Sequence, residues 1–170
     1  MKFVIMTLAL SLTSCAHRYT PGNDAVTVIF EEGKARLTDD SKERLQGLRE
    51  RALASGKDIQ EVKILAWADS EYPHRPGDSK TRREEQLAQK RARELRDYLR
   101  EDLLGREDYE AFNMAKRPNI LSRLLKGEDY QVKQSYQKSG ATATTLPDGT
   151  LSYNKASKAI VIIDYHQERN

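Results

Sequence analysis

The chain of 170 residues contains one cysteine, Cys15. That count excludes a disulfide within the chain, a thiolate metal cluster and a CxxC redox pair. His17, His74 and His166 are scattered, with no HxH or HxxxH spacing, so no metal site is expected. Neither the phosphate-cradling G-x-x-x-x-G-K-S/T loop nor the G-x-S-x-G elbow that presents a nucleophilic serine occurs, and no cofactor is implied. An excess of one charge is also missing. The 29 Lys+Arg are interleaved with 26 Asp+Glu for a net +3, which argues against a nucleic-acid partner. There is no internal repeat or low-complexity tract.

What is present suffices for one domain. Charged residues make up 32% of the chain, but eight tyrosines and recurrent aliphatic runs supply apolar material for a core. The N-terminus has its own character. Lys2 precedes an apolar run at 3–12, far short of the roughly 20 residues that span a bilayer and suited to a signal-peptide core. It runs into Leu12-Thr13-Ser14-Cys15, which resembles the lipobox of bacterial lipoproteins. The resemblance implies a signal peptide at 1–14, acylation of Cys15 and a lipidated tether at 15–24. The residues alone also admit an ordinary signal peptide cut near Ala16, or a chance cysteine that is simply buried. Acyl chains contribute about 0.8 kcal/mol per buried CH₂, so the chain would be anchored to a membrane without spanning it. Ala16 at the sorting position implies the outer membrane, with the domain, 25–166, in the periplasm.

Along the domain, Val26-Thr27-Val28-Ile29-Phe30 predicts a strand closed by Glu31-Glu32-Gly33. Leu45, Leu48 and Ala52 recur at helical spacing over 38–55, between a Thr38 or Asp39 cap and Gly56. Val62 to Trp67 predict a second strand, and a polar loop at 70–80 leads to a helix over 81–104. On that helix Leu87, Ala88, Ala92, Leu95, Tyr98 and Leu99 form one stripe. Glu84 and Arg91 project into it, and a charge on a buried face needs a partner or a ligand. Residues 105–139 read as a helical elaboration: Tyr109, Phe112 and Ala115, then Ile120, Leu121, Leu124 and Leu125, then 129–138 with Gly140 as cap. A short strand at 141–145, a turn at 146–149 and an apolar closing strand at 159–163, covered on both faces, complete the chain.

The strand-helix-strand-loop-helix order over 26–99 resembles the OmpA-like C-terminal domain, the peptidoglycan-binding module of outer-membrane protein A and the peptidoglycan-associated lipoprotein. Ile64-Leu65-Ala66-Trp67-Ala68-Asp69 stands where the family runs a strand into Gly-(His/Tyr)-Thr-Asp. Leu87-Ala88-Gln89-Lys90-Arg91-Ala92 stands where it has Leu-Ser-x-x-Arg-Ala, and Ser157-Lys158-Ala159-Ile160-Val161-Ile162 is similar to its closing Asn-Arg-Arg-Val-Glu-Ile. The resemblance implies an α/β fold of the α+β two-layer kind: β-α-β-α-β, a small mixed sheet, helices on one face and an extra helical insertion at 105–139. It also implies that Asp69 and Arg91 grip the zwitterionic end of meso-diaminopimelate, a carboxylate taking the ammonium and a guanidinium the carboxylate. From residue types alone the two residues serve equally well as a structural ion pair.

Departures from the family pattern define the other candidates. Its glycine and threonine are Ala66 and Ala68, its asparagine is Glu84, and of its paired arginines only Lys158 keeps a cation. Trp67 offers a stacking surface for a sugar, or simply core. The ligand-binding candidates are therefore Asp69, Arg91, Glu84, Trp67 and Lys158, with no catalytic residue, although Asp69 and Glu84 are a carboxylate pair of the type that cleaves glycans. The expected function is noncovalent binding of peptidoglycan, tethering the envelope to the cell wall without turnover. The alternative is a divergent scaffold that binds another envelope protein through the 70–80 loop or the 105–139 elaboration.

Overall fold

The computed structural model describes residues 23–70, 79–117, 126–138, 144–145, 151–152 and 156–166. The signal peptide, Cys15 and the tether up to residue 22 lie outside them. So do Tyr72, His74 and Arg75 of the polar loop, the apolar residues 120–125, Gly140 and the turn at 146–149.

Extended, β-branched residues form β1 (Asn23–Ile29). Helix α1 (Asp39–Ser55) starts where Thr38 Oγ1 accepts the Ser41 N–H at 3.2 Å and ends at Gly56, whose φ of 63° is left-handed. Asp39 and Asp40 in its first turn complement the positive end of the helix dipole. Strand β2 (Ile59–Ala66) follows, then α2 (Ser79–Tyr98), which widens into a π-turn at Leu99–Leu103. There the Leu104 N–H reaches the Leu99 carbonyl at 2.7 Å.

The next element differs from its sequence reading. Tyr109, Phe112 and Ala115 have helical spacing, yet Tyr109–Asn113 is a strand, β3, parallel to β2 with Val62 opposite Tyr109. The segment follows a helix packed on the sheet, and a β-α-β crossover returns the chain beside its first strand. Its alternation is that of a strand: Phe112 and Met114 are buried on one face while Tyr109 and Ala111 turn to the other. Helix α3 (Glu128–Lys138) is the part of the elaboration that is helical as expected. Two-residue strands β4 (Thr144–Thr145) and β5 (Leu151–Ser152) pair as a ribbon. Strand β6 (Lys158–Tyr165) closes the chain.

The main sheet runs β1-β6-β2-β3, with β6 antiparallel to both neighbours. This is the expected α+β arrangement with a small mixed sheet. Helices α1 and α2 bring Leu45, Leu48, Leu95 and Leu99 onto one face, against Val28, Val62, Ile64, Val161 and Ile163. The opposite face carries a smaller cluster of Leu65, Trp67, Phe112, Met114 and Ile162, on which Val132 of α3 packs. The two helices of the common plan therefore share a face, and the inserted helix lies on the other. β6 is buried on both faces, which is why its sequence is nearly continuous in apolar residues. Among the described residues no helix is long and apolar enough to cross a membrane.

Candidate functional site

The end of β2, the turn after β1, the middle of α2 and the residue before β6 meet at one point. Strand β1 leaves the sheet at Phe30 and turns through Glu31–Lys34, closed by the Lys34 N–H on the Glu31 carbonyl at 3.0 Å. Gly33 takes the left-handed third position, φ 69°, which L side chains rarely adopt. Strand β2 continues through Trp67 and Ala68 to Asp69. Ser157, also left-handed at φ 56°, bridges both ends: its N–H donates to the Ala68 carbonyl at 2.6 Å and its carbonyl accepts from the Phe30 N–H at 2.8 Å.

Arg91 occupies the centre, with 0% of its surface exposed. Its Nε donates to the Lys34 carbonyl at 2.8 Å, Nη1 to the Trp67 carbonyl at 3.0 Å, and Nη2 to both the Glu31 carbonyl at 3.0 Å and Asp69 Oδ1 at 2.6 Å. Its guanidinium also lies 5.0 Å from the centre of the Phe30 ring, within cation–π range. Four of five N–H groups are thus spent on three carbonyls and one carboxylate, which explains how a full charge rests on the apolar stripe of α2.

Asp69 receives three donors. Oδ1 accepts from Arg91 and from Ser157 Oγ at 2.8 Å, while Oδ2 accepts the Gly33 N–H at 2.6 Å. Burial pushes its pKa upward, but the hydrogen bonds from Arg91, Ser157 and Gly33 and the charge of Arg91 outweigh that, and the carboxyl sits below its ordinary 3.8. It is ionised at neutral pH. Unlike Arg91, the Asp69 side chain keeps 18% of its surface in solvent.

The other candidates take different places. Glu84 is buried two turns before Arg91 on the same stripe, and its Oε2 accepts the Ser70 N–H at 2.9 Å, holding the chain just past Asp69 to α2. Trp67 is 1% exposed within the smaller cluster, so it offers no stacking surface, while its carbonyl reaches the site. A strand side chain on the covered face cannot also face solvent, and here the core reading is the correct one. Lys158 is 3% exposed, and its carbonyl accepts the Trp67 N–H at 3.0 Å. Its ammonium is not at the solvent surface where a ligand would meet it.

The sequence thus pointed to the Asp69–Arg91 pair and missed the groups that complete it. In the sequence Ser157 stands out only as part of a strand motif, and Gly33 only as the end of the first strand. The carbonyls of Glu31, Lys34 and Trp67 leave no signature in residue type. Chemically the cluster presents one fixed, partly accessible anion backed by a buried cation, suited to holding an ammonium group. No group of three or more potential metal ligands occurs among the described residues. Comparison of the sequence with protein-family models and with curated proteins gives no match.

Proposed function

We propose that the chain is a lipid-anchored outer-membrane protein whose periplasmic domain holds peptidoglycan noncovalently, as the OmpA-like resemblance implies. The observation that carries this reading is Asp69. Its ionised carboxylate is fixed at the end of β2 by three donors and remains partly open to solvent. An ammonium group of the stem-peptide diamino acid would meet it through a charge-assisted hydrogen bond. Arg91 has no exposed surface, so it acts from behind as a positioning residue. Gripping a ligand carboxylate itself would require the 31–34 turn to move.

One observation favours a second reading. Arg91 and Asp69 satisfy each other and the surrounding backbone without any ligand, as they would in a scaffold that has lost cell-wall recognition and binds another envelope protein. Co-sedimentation with purified diaminopimelate-type sacculi separates the two. On the first reading the chain, kept in detergent micelles, pellets with sacculi, a folded Asp69→Ala variant stays in solution, and no soluble muropeptides are released. Failure of the wild-type chain to pellet would overturn this reading in favour of the scaffold.

A further inference from the structure

At the edge of the sheet away from β1, strand β3 lies beside a row of cations. The Asp108 carbonyl accepts from the Val62 N–H at 2.8 Å, and the Met114 N–H donates to the Ala66 carbonyl at 2.9 Å. Backbone groups in a strand alternate sides, so Glu110 and Phe112 also bond β2 while Tyr109, Ala111 and Asn113 turn their N–H groups outward. Among the described residues no strand pairs that side. Ala111, in the middle of the strand, is exposed.

Over this edge, Gln89, Arg93 and Arg96 fall on one line of α2 and border a groove of about 250 Å³ with Ala111, Asn113 and Lys116. Among the described residues that line it none is acidic. Arg93 and Lys116 are exposed, and Arg96 is bonded to its neighbour Asp97 in a half-exposed pair at 3.1 Å. Exposed pairs of that kind contribute little and yield readily to a better acceptor.

We propose that this edge receives an extended acidic peptide as a fifth strand. Its main chain bonds the outward N–H and C=O groups of Tyr109 and Ala111 and the N–H of Asn113, whose carbonyl already accepts the Lys116 N–H at 3.2 Å, and its carboxylates meet Arg93, Arg96 and Lys116. Charge selects the occupant. A basic peptide is repelled, and a second copy of this chain pairing edge to edge brings its own cations to the same groove. The inference uses none of the residues around Asp69 and stands apart from the cell-wall reading.

The probe is a short, end-blocked peptide alternating glutamate with threonine, titrated calorimetrically against the full chain in micelles. Two controls accompany it: the same peptide with proline for threonine, equal in charge but unable to add as a strand, and a lysine–threonine peptide. Ala111→Pro removes an N–H on the outer side only and leaves the β2 ladder bonded. The Glu–Thr peptide is expected to bind, and to weaken about tenfold or more with Ala111→Pro and with Arg93→Glu/Lys116→Glu. Equal binding of the two acidic peptides would reduce the groove to an anion site and overturn strand addition. Binding of the lysine peptide, or of none, overturns the proposal as well. Should Ala111→Pro fail to fold, the proline peptide still makes the distinction.

Discussion

Arg91 and Asp69 form an ion pair with unequal ends. Nη2 and Oδ1 are 2.6 Å apart, yet the guanidinium has no solvent-exposed surface while 18% of the carboxylate side chain has. Burying a cation completely is tolerable only because three backbone carbonyls share it. The cation serves the fold, and the anion is the group a partner can reach.

Removing the cation should therefore act first on stability. Arg91→Ala leaves the Asp69 carboxylate and three carbonyls short of donors, and a loss of about 3–5 kcal/mol is expected in urea unfolding. Arg91→Lys retains charge but cannot reach four acceptors on different sides, so it should recover only part of that loss. A loss below about 1 kcal/mol for Arg91→Ala would contradict the structural role assigned to it.

The pH dependence follows from Asp69. A carboxyl with a folded pKa below its ordinary 3.8 contributes stability that is complete above that value and is lost as pH falls through the folded pKa. Melting temperatures of the wild type should drop on acidification through this range. Asp69→Asn should start lower at neutral pH and show a shallower acid decline. Parallel curves would mean that the pair contributes nothing to acid sensitivity.

Two glycines offer an internal comparison. Gly33 and Gly56 are both left-handed, and a Cβ would meet nothing within 4 Å at either. Alanine at Gly56 should cost about 1–2 kcal/mol from backbone strain alone. Gly33→Ala carries the same strain and also disturbs the N–H bonded to Asp69, so chemical denaturation should show it to be the costlier substitution.

Trp67 is the sole tryptophan and fully buried. Its fluorescence should be blue-shifted, resist acrylamide quenching and shift to the red on unfolding. Trp67→Ala should cost about 3–5 kcal/mol through the cavity it leaves. Emission typical of exposed indole in the native chain would place this residue on a surface after all.

Helix α1 was legible because its signals are local: a capping threonine, three apolar residues on one stripe and a glycine at the end. Arg91 was legible for the opposite reason, as a charge that breaks such a stripe. Strand β3 is hard to read because Tyr109 and Phe112, three residues apart, fit a helical stripe, whereas in the strand they fall on opposite faces, each of which meets a core. What decided the matter was β2, a neighbour far away in sequence. The same holds for α3, whose helicity was readable while the sheet face that Val132 covers was not. Around Asp69, the unread partners were a serine in a left-handed conformation and peptide groups, whose role depends on where the backbone runs.

The position of β6 bears on how the protein is made. It lies between β1 and β2 and hydrogen-bonds to both, yet it follows every other described element in the chain. While the chain is still emerging, the two earlier strands have no common neighbour to hold them, and contacts this distant in sequence form slowly. β2 and β3 can pair with each other, but β1 joins the sheet only once β6 has been added. Truncation just before Lys158 should therefore abolish folding rather than trim it.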